Sequence, residues 1–133
     1  MPIVIVRDQK TPMRHDVHIG GTVVAVDASV VDGGEGSGAS PHDFYDAALG
    51  ACEAMTVLFY AKRKAIPVEG IEVSVTRDAS GERGGTYILN TALKLTGALT
   101  DEQRRELLSV AAKCPVHKLM TSVQTVIETT LAE

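Results

Sequence analysis

The chain has 133 residues, of which 44% are hydrophobic and 23% are charged, and its formal net charge is −4. This length and composition predict one compact domain over residues 1–133. Because the sequence contains no run of Lys or Arg, it predicts neither a nucleic-acid partner nor an anionic membrane surface as a partner. The apolar part of residues 1–10 is too short for a secretory signal. We therefore expect a cytoplasmic protein, in which thiols are kept reduced.

The first forty residues predict strands followed by a loop. Residues 2–7 and 15–27 are rich in Val and Ile and partly alternate, which predicts two or three strands joined by tight turns. The segment 31–39 carries Gly34, Gly36 and Gly38 ahead of a helix, a spacing similar to phosphate-binding loops. Since no Gly-Lys-Ser/Thr follows and no βαβ unit is present, we interpret this segment as a flexible connector.

A long helix is predicted from Ser40 to about Ala65. Ser40 is a suitable N-cap, Pro41 fits the first helical position, and Asp43 completes a capping box. Pro67 is expected to stop the helix. Only a narrow polar stripe, Asp46, Glu53 and Tyr60, interrupts the apolar surface, whose main face is formed by Tyr45, Ala48, Cys52, Met55 and Phe59. A helix this apolar must be covered on several sides, which favours a dimer.

The second half of the chain predicts a hairpin, two helices and a last strand. Residues 68–78 and 86–96 alternate as two long antiparallel strands. Thr100 and Gln103 predict a capping box for a helix over 101–113. Pro115 opens a short helix to about Met120. Residues 122–131 alternate again, and we expect this strand to join the earlier sheet.

Cys52 and Cys114 are the only cysteines. Paired thiols in a reducing compartment favour catalysis or metal binding over a structural disulfide. A thiolate is the reactive form, and an ordinary Cys has a pKa of about 8.5. Cys52, in the middle of a helix, needs a nearby cation or hydrogen-bond donor to lower its pKa. Cys114 precedes the helix that Pro115 opens, so free backbone amides there predict a lowered pKa.

Four runs of residues resemble the OsmC/Ohr family: Ser40-Pro41-His42-Asp43-Phe44, Ala47-Ala48-Leu49-Gly50-Ala51-Cys52-Glu53-Ala54-Met55-Thr56, Tyr60-Ala61-Lys62-Arg63-Lys64, and Lys113-Cys114-Pro115-Val116-His117. The resemblance implies an α+β, OsmC-like fold in which antiparallel sheets wrap around two central Cys-bearing helices of an intertwined homodimer. It also implies a Cys-based organic hydroperoxide reductase that uses no cofactor or metal ion. Cys52 would be oxidised to a sulfenate, Cys114 would resolve it as a disulfide, and an external dithiol of the lipoyl type would reduce that disulfide.

The resemblance also suggests residues that activate Cys52. Active members use an arginine from the N-terminal region, held by a carboxylate directly after the proline of the Cys helix, and His42 stands at that position here. Asp43 is a candidate for the carboxylate, although the capping box is its simpler role. Arg14 and Arg7 are the candidate arginines, and both also fit ordinary surface charges at strand ends.

Apolar surface near Cys52 favours alkyl or lipid hydroperoxides over hydrogen peroxide. We expect it around Met55, Phe59, Leu107 and Ala111, with Tyr45 as a further substrate-binding candidate on the same helix face.

Other interpretations stay open. Each Cys alone fits a small core residue. A zinc site would use Cys52, Cys114, His117 and His42, but a second closely spaced ligand pair is missing. A binding dimer that keeps the fold without peroxidase activity is the main rival, because His42 replaces the expected carboxylate.

Overall fold

The structure is a computed structural model that describes residues 2–133. It contains two compact units, Met1–Ala47 and Ala48–Glu133, whose boundary falls within the long helix. Antiparallel strands and separate helices make the protein α+β, as predicted. Among residues 2–133, no helix has both the length and the apolar character needed to span a membrane.

The first unit contains a three-stranded antiparallel sheet. Its strands are β1 (Ile3–Arg7), β2 (His15–Ile19) and β3 (Thr22–Val26), in the order β1-β2-β3. The prediction of two or three strands in this region is confirmed. All five residues of β1 are exposed, and this strand forms one edge of the sheet.

A buried carboxylate organises the Gly-rich loop that follows β3. Asp27 accepts hydrogen bonds from the backbone N–H groups of Ala28, Glu35 and Ser37 and, at 2.7 Å, from the Ser37 hydroxyl. These donors, led by the Ser37 amide, lower the pKa of Asp27 to about 2. Gly36 has φ of 64°, which glycine adopts without strain. The segment predicted as a connector is thus a loop folded around Asp27.

Helix α1 (Pro41–Arg63) begins with the predicted capping box. The Ser40 N–H donates to Asp43 Oδ2 at 2.9 Å, and the Asp43 N–H donates to Ser40 Oγ at 3.2 Å. The helix ends before Pro67 is reached. Ala65 takes a left-handed φ of 54°, and the Ile66 N–H turns back to the Ala61 carbonyl at 2.9 Å. This C-terminal cap, rather than the proline ring, ends α1.

The second unit combines the C-terminal part of α1 with a hairpin, a 3₁₀ helix and two further helices. Strands β4 (Gly70–Asp78) and β5 (Ile88–Thr96) pair over their whole length, joined by a turn with a 3₁₀ helix (Glu82–Gly84). Helix α2 (Asp101–Ala111) starts at the predicted Thr100–Gln103 capping box, and α3 (Pro115–Ser122) follows. The hairpin and both helices are confirmed.

The core of the second unit lies where α1, α2 and the hairpin pack together. Its buried side chains are Val57, Ala61, Ile66, Leu107 and Ala111. Partly buried residues of β4 and β5, among them Ile71, Leu93 and Leu95, pack against them. The backbone of α1 also approaches β4 closely: a Cβ at Gly50 would lie 2.8 Å from Val75 Cγ2. The apolar patterns of three separate elements are thus satisfied by one shared interior.

The predicted last strand is wrong. Helix α3 continues to Ser122, and residues 123–133 form no strand. Val126, Ile127 and Leu131 are 77%, 80% and 93% exposed. Alternation alone does not make a strand, because its backbone groups need a neighbouring strand, and none of the ladders among residues 2–133 includes this segment.

Candidate active site

The two cysteines come from different elements of the second unit. Cys52 lies in the middle of α1 and is partly buried, whereas Cys114 is fully buried. Cys114 is not itself helical. It is the N-cap of α3, where its sulfur accepts the His117 N–H at 3.2 Å and Pro115 occupies the first turn. The chain therefore uses a thiol where Ser, Thr, Asp or Asn is usual at a helix N-cap.

Cys52 and Cys114 lie close together: Lys113 and Pro115, which flank Cys114, line the same groove as Cys52, and the Cys52 side chain raises the pKa of Cys114. Both cysteines are free. Two motifs far apart in the sequence thus meet on one side of the core.

The pKa of Cys114 is raised, so the prediction of a lowered pKa is wrong. Burial is the main cause, and the neighbouring Cys52 side chain and the charge of Glu53 act in the same direction. The amide of His117 lowers the pKa, but one donor does not offset removal from water. Cys114 therefore holds its proton more firmly than an exposed thiol does.

A groove of about 690 Å³ opens beside Cys52. Met55 and Phe59, two of the predicted substrate-binding residues, lie in its wall and are 69% and 66% exposed. Lys113 is the charged residue of a lining formed by Ala48, Ala51, Cys52, Met55, Thr56, Phe59, Lys113 and Pro115. An apolar wall with a cation at one side suits an organic molecule that carries one polar group.

Other predicted groove residues lie elsewhere. Leu107 and Ala111 are buried in the core, with 0% and 2% exposure, so the expectation that they form accessible apolar surface is wrong. Tyr45 is half-exposed and belongs to the first unit.

The predicted activating residues all belong to the first unit, and Cys52 belongs to the second. Arg14 is partly buried. Its Nε lies 3.9 Å from Asp16 Oδ1 and has no hydrogen-bond partner among residues 2–133. Arg7 is exposed and donates to a backbone carbonyl at 3.4 Å. Asp43 serves in the capping box, and His42 is exposed in the first turn of α1. Their pairing with the thiol stays a prediction.

The polar stripe of α1 proves to be a buried side of the helix. Glu53 is only 4% exposed and accepts the Thr91 hydroxyl of β5 at 3.2 Å. The Tyr60 hydroxyl donates to Glu106 of α2. Sequence reasoning did not select Glu53 as a site residue. The feature of the sequence that could have identified Glu53 is its position directly after Cys52, on a helix that is largely apolar.

The zinc hypothesis finds no support in the donor positions. Within residues 2–133, no group of three or more His, Cys, Asp or Glu side chains is arranged to hold a metal ion. The thiol pair therefore stands beside a buried carboxylate and an apolar groove.

Together these features define an α+β protein with two interacting, reduced thiols next to an apolar groove. The chain belongs to the OsmC family: the family model described as OsmC-like protein matches residues 34–129. The family resemblance inferred from the sequence is confirmed. A comparison with curated proteins finds no match.

Solved structures of OsmC-like and organic hydroperoxide resistance proteins share the fold. A putative osmotic stress induced and detoxification response protein from Psychrobacter arcticus is 20% identical, with a TM-score of 0.77 over 92% of this chain and 89% of that one. An OsmC-like protein from Mycoplasma pneumoniae is 20% identical, with a TM-score of 0.75 over 92% and 87%. The organic hydroperoxide resistance protein OhrB of Bacillus subtilis is 20% identical, with a TM-score of 0.61 over 92% of each chain.

Proposed function

We propose that this protein is a thiol-dependent peroxidase that reduces organic hydroperoxides, of the alkyl or lipid type. The observation that supports this proposal most directly is the interaction of Cys52, which lines the groove, with Cys114, which is fully buried. A substrate in the groove reaches the first sulfur and not the second. The accessible Cys52 is thus suited to attack the peroxide, and the buried Cys114 is suited to form the disulfide with oxidised Cys52.

The reaction divides into two steps. The Cys52 thiolate attacks one peroxide oxygen, the O–O bond breaks, and the alcohol leaves with a proton while Cys52 becomes a sulfenic acid. Cys114 sulfur then bonds to Cys52 sulfur, and the S–O bond breaks to release water. An external dithiol, for which we propose a lipoyl-type group, reduces the disulfide in a reducing compartment such as the cytoplasm.

The raised pKa of Cys114 fits the order of these steps. A protonated Cys114 does not compete for peroxide, since the thiolate is the nucleophile. The Cys114 proton is thus retained until Cys52 has reacted, which keeps the two steps in order.

Arg14 is the proposed cation for the Cys52 thiolate. Its Nε makes no hydrogen bond to residues 2–133 and lies beyond normal hydrogen-bond distance from Asp16. The guanidinium therefore retains a donor for another anion. We propose that Asp43 helps to orient Arg14 and that His42 borders the site.

The test follows thiol oxidation by cumene hydroperoxide in the presence of a dithiol, with tert-butyl hydroperoxide as a second substrate. The Cys52→Ser variant should lose turnover. The Cys114→Ser variant should still consume one equivalent of peroxide and give a sulfenate that dimedone traps. Lack of turnover in the native protein with both peroxides, together with no dimedone adduct in Cys114→Ser, would contradict the proposal.

A second candidate is a small-molecule binding dimer without peroxidase activity. It is favoured by His42 in the place where active relatives carry a carboxylate, and by the size of the apolar groove. In that case an environment-sensitive dye should bind next to Met55 and be displaced by organic ligands, while both thiols resist oxidation by peroxide.

We also propose that the protein is a homodimer. Met55 and Phe59 leave large apolar side chains exposed on α1, and strand β1 is exposed over its whole length. Each of these two apolar surfaces lies within one unit, and exposed apolar surface often marks a protein–protein contact. Light scattering should give about twice the chain mass of 14.1 kDa, and the mass of a single chain at micromolar concentration would exclude the dimer.

A further inference from the structure

Glu53 is a buried carboxylate with an unused oxygen. It is 4% exposed, and its Oε2 accepts the Thr91 hydroxyl at 3.2 Å. Its Oε1 has no hydrogen-bond partner among residues 2–133. Burying a carboxylate with part of its acceptor capacity unsatisfied is costly. Anchoring α1 to β5 does not explain the choice, because a neutral Gln would accept the same hydroxyl hydrogen bond.

The charge of Glu53 affects the Cys114 thiol. Glu53 follows Cys52 directly, and its negative charge raises the pKa of Cys114. Besides this charge, the groups that act on Cys114 are the Cys52 side chain and the His117 amide, whose N–H donates to the Cys114 sulfur at 3.2 Å. An amide N–H only donates, and Cys52 is consumed as the electrophile once it carries a sulfenate. Of these three neighbours, Glu53 alone can take a proton while a disulfide forms.

We propose that Glu53 is the proton acceptor for Cys114 in disulfide formation, directly or through one water molecule. This inference rests on the proposed function. The S–H proton moves to Glu53, the Cys114 electron pair forms the bond to Cys52 sulfur, and the S–O bond of the sulfenic acid breaks. The leaving hydroxide takes the proton from Glu53 and departs as water. Cys114 is oxidised, the sulfenic sulfur is reduced, and the carboxylate is restored.

The same proton transfer can be measured without any peroxide. The thiolate of the accessible Cys52 attacks the disulfide of Ellman's reagent and displaces one thionitrobenzoate, which leaves a mixed disulfide on Cys52. Cys114 then displaces the second thionitrobenzoate, loses its proton and closes the Cys52–Cys114 disulfide. The absorbance of this second release reports the step in which Glu53 acts.

The variant to compare is Glu53→Gln, which keeps an acceptor for the Thr91 hydroxyl but removes the charge. We expect the second release to slow by on the order of 100-fold, since general base catalysis contributes about 10²–10⁴. The first release should stay within about twofold of the native rate, because Glu53 accepts no proton in the reaction of Cys52 with the reagent. Glu128→Gln, a charge change in the exposed C-terminal segment, should match the native protein in both phases. Equal second phases in native protein and Glu53→Gln would overturn the proposal.

A pH profile of the native protein keeps the proposal testable should Glu53→Gln not fold. With an internal acceptor, the second release depends weakly on pH between about 6 and 8, whereas deprotonation by solution hydroxide makes it climb about tenfold per unit. Such a climb would overturn the proposal. Besides Glu53, the titratable groups next to Cys114 are Cys52 on α1 and Lys113 and His117 in its own segment. The His117→Gln variant removes the imidazole, so any pH dependence that remains does not come from His117. It keeps the hydrogen bond from the backbone N–H of residue 117 to the Cys114 sulfur.

The two proposals can fail separately. A slow second release in Glu53→Gln, combined with no turnover of cumene hydroperoxide by the native protein and no dimedone adduct in Cys114→Ser, would leave Glu53 as the acceptor and remove the peroxidase function. Normal peroxide turnover with an unchanged second release in Glu53→Gln would remove only the role of Glu53.

Discussion

Cys52 and Cys114 interact with each other but occupy opposite environments: Cys52 lines a groove, and Cys114 is completely buried. A disulfide between them would therefore have one end accessible to a small reductant and the other end shielded. Thiol–disulfide exchange depends on which sulfur can be approached. We expect the reductant to attack the Cys52 sulfur first.

The raised pKa of Cys114 predicts that alkaline pH destabilises the protein. The folded state keeps a proton that the unfolded state releases near a pKa of about 8.5, so this contribution is complete below that pH and is lost as pH rises through the raised pKa. Urea unfolding under reducing conditions at about pH 7.5 and pH 9.5 should show the loss. Cys114→Ala should show a smaller pH dependence than the native protein. The same slope in both proteins would contradict the assignment to Cys114.

Leu107 and Leu108 are adjacent in α2 but differ in burial, 0% against 59% exposed. Leu107→Ala should lower the free energy of unfolding by about 2–5 kcal/mol, because it removes buried methyl groups and leaves a cavity. Leu108→Ala serves as the matched control and should change it by about 0.5 kcal/mol or less. Chemical denaturation measures both. Similar losses in the two variants would contradict the placement of the core.

Gly50 is predicted to be required by the packing of α1 on β4. Alanine favours a helix by about 1 kcal/mol over glycine, but a Cβ 2.8 Å from Val75 Cγ2 requires the Val75 side chain or the backbone to shift, at a cost of about 1–3 kcal/mol. We expect a net loss of stability for Gly50→Ala. A Val75→Ala background should reduce that loss in a double-mutant cycle. Gly84→Ala, where a Cβ meets nothing within 4 Å, is the control.

The lowered pKa of Asp27 predicts that the folded protein loses stability in acid. Its pKa is 3.8 for the ordinary group and about 2 in the folded chain, so the folded carboxylate contributes stability that is complete above about pH 4 and is lost as pH falls toward 2. Unfolding at about pH 5 and pH 2.5 should show a steeper decline for the native protein than for Asp27→Asn. Equal declines would mean that other carboxylates dominate acid denaturation.

Local patterns predicted most of the elements. The Ser40–Asp43 and Thr100–Gln103 capping boxes, the β4–β5 hairpin and the start of α3 at Pro115 are confirmed. Each depends on residues a few positions apart, or on alternation whose partner strand is next along the chain. The predicted last strand over 122–131 failed because its pattern has no such neighbour.

The site was predictable only in part. The cysteine motifs selected Cys52 and Cys114, and the apolar face of α1 selected Met55 and Phe59. The direction of the Cys114 pKa shift was wrong, because a helix N-terminus is visible in the sequence and complete burial is not. Glu53 was assigned to a polar stripe, but its side chain is buried and accepts a hydrogen bond from Thr91 of β5.

The sequence by itself determined the family, the order of the elements and the two thiols, because these follow from short motifs and periodicity. Tertiary structure decided that the thiols interact, that Cys114 is shielded and retains its proton, and that Glu53 is buried with one oxygen unpaired. Contact and desolvation depend on which distant segments pack against α1, and no local pattern specifies that.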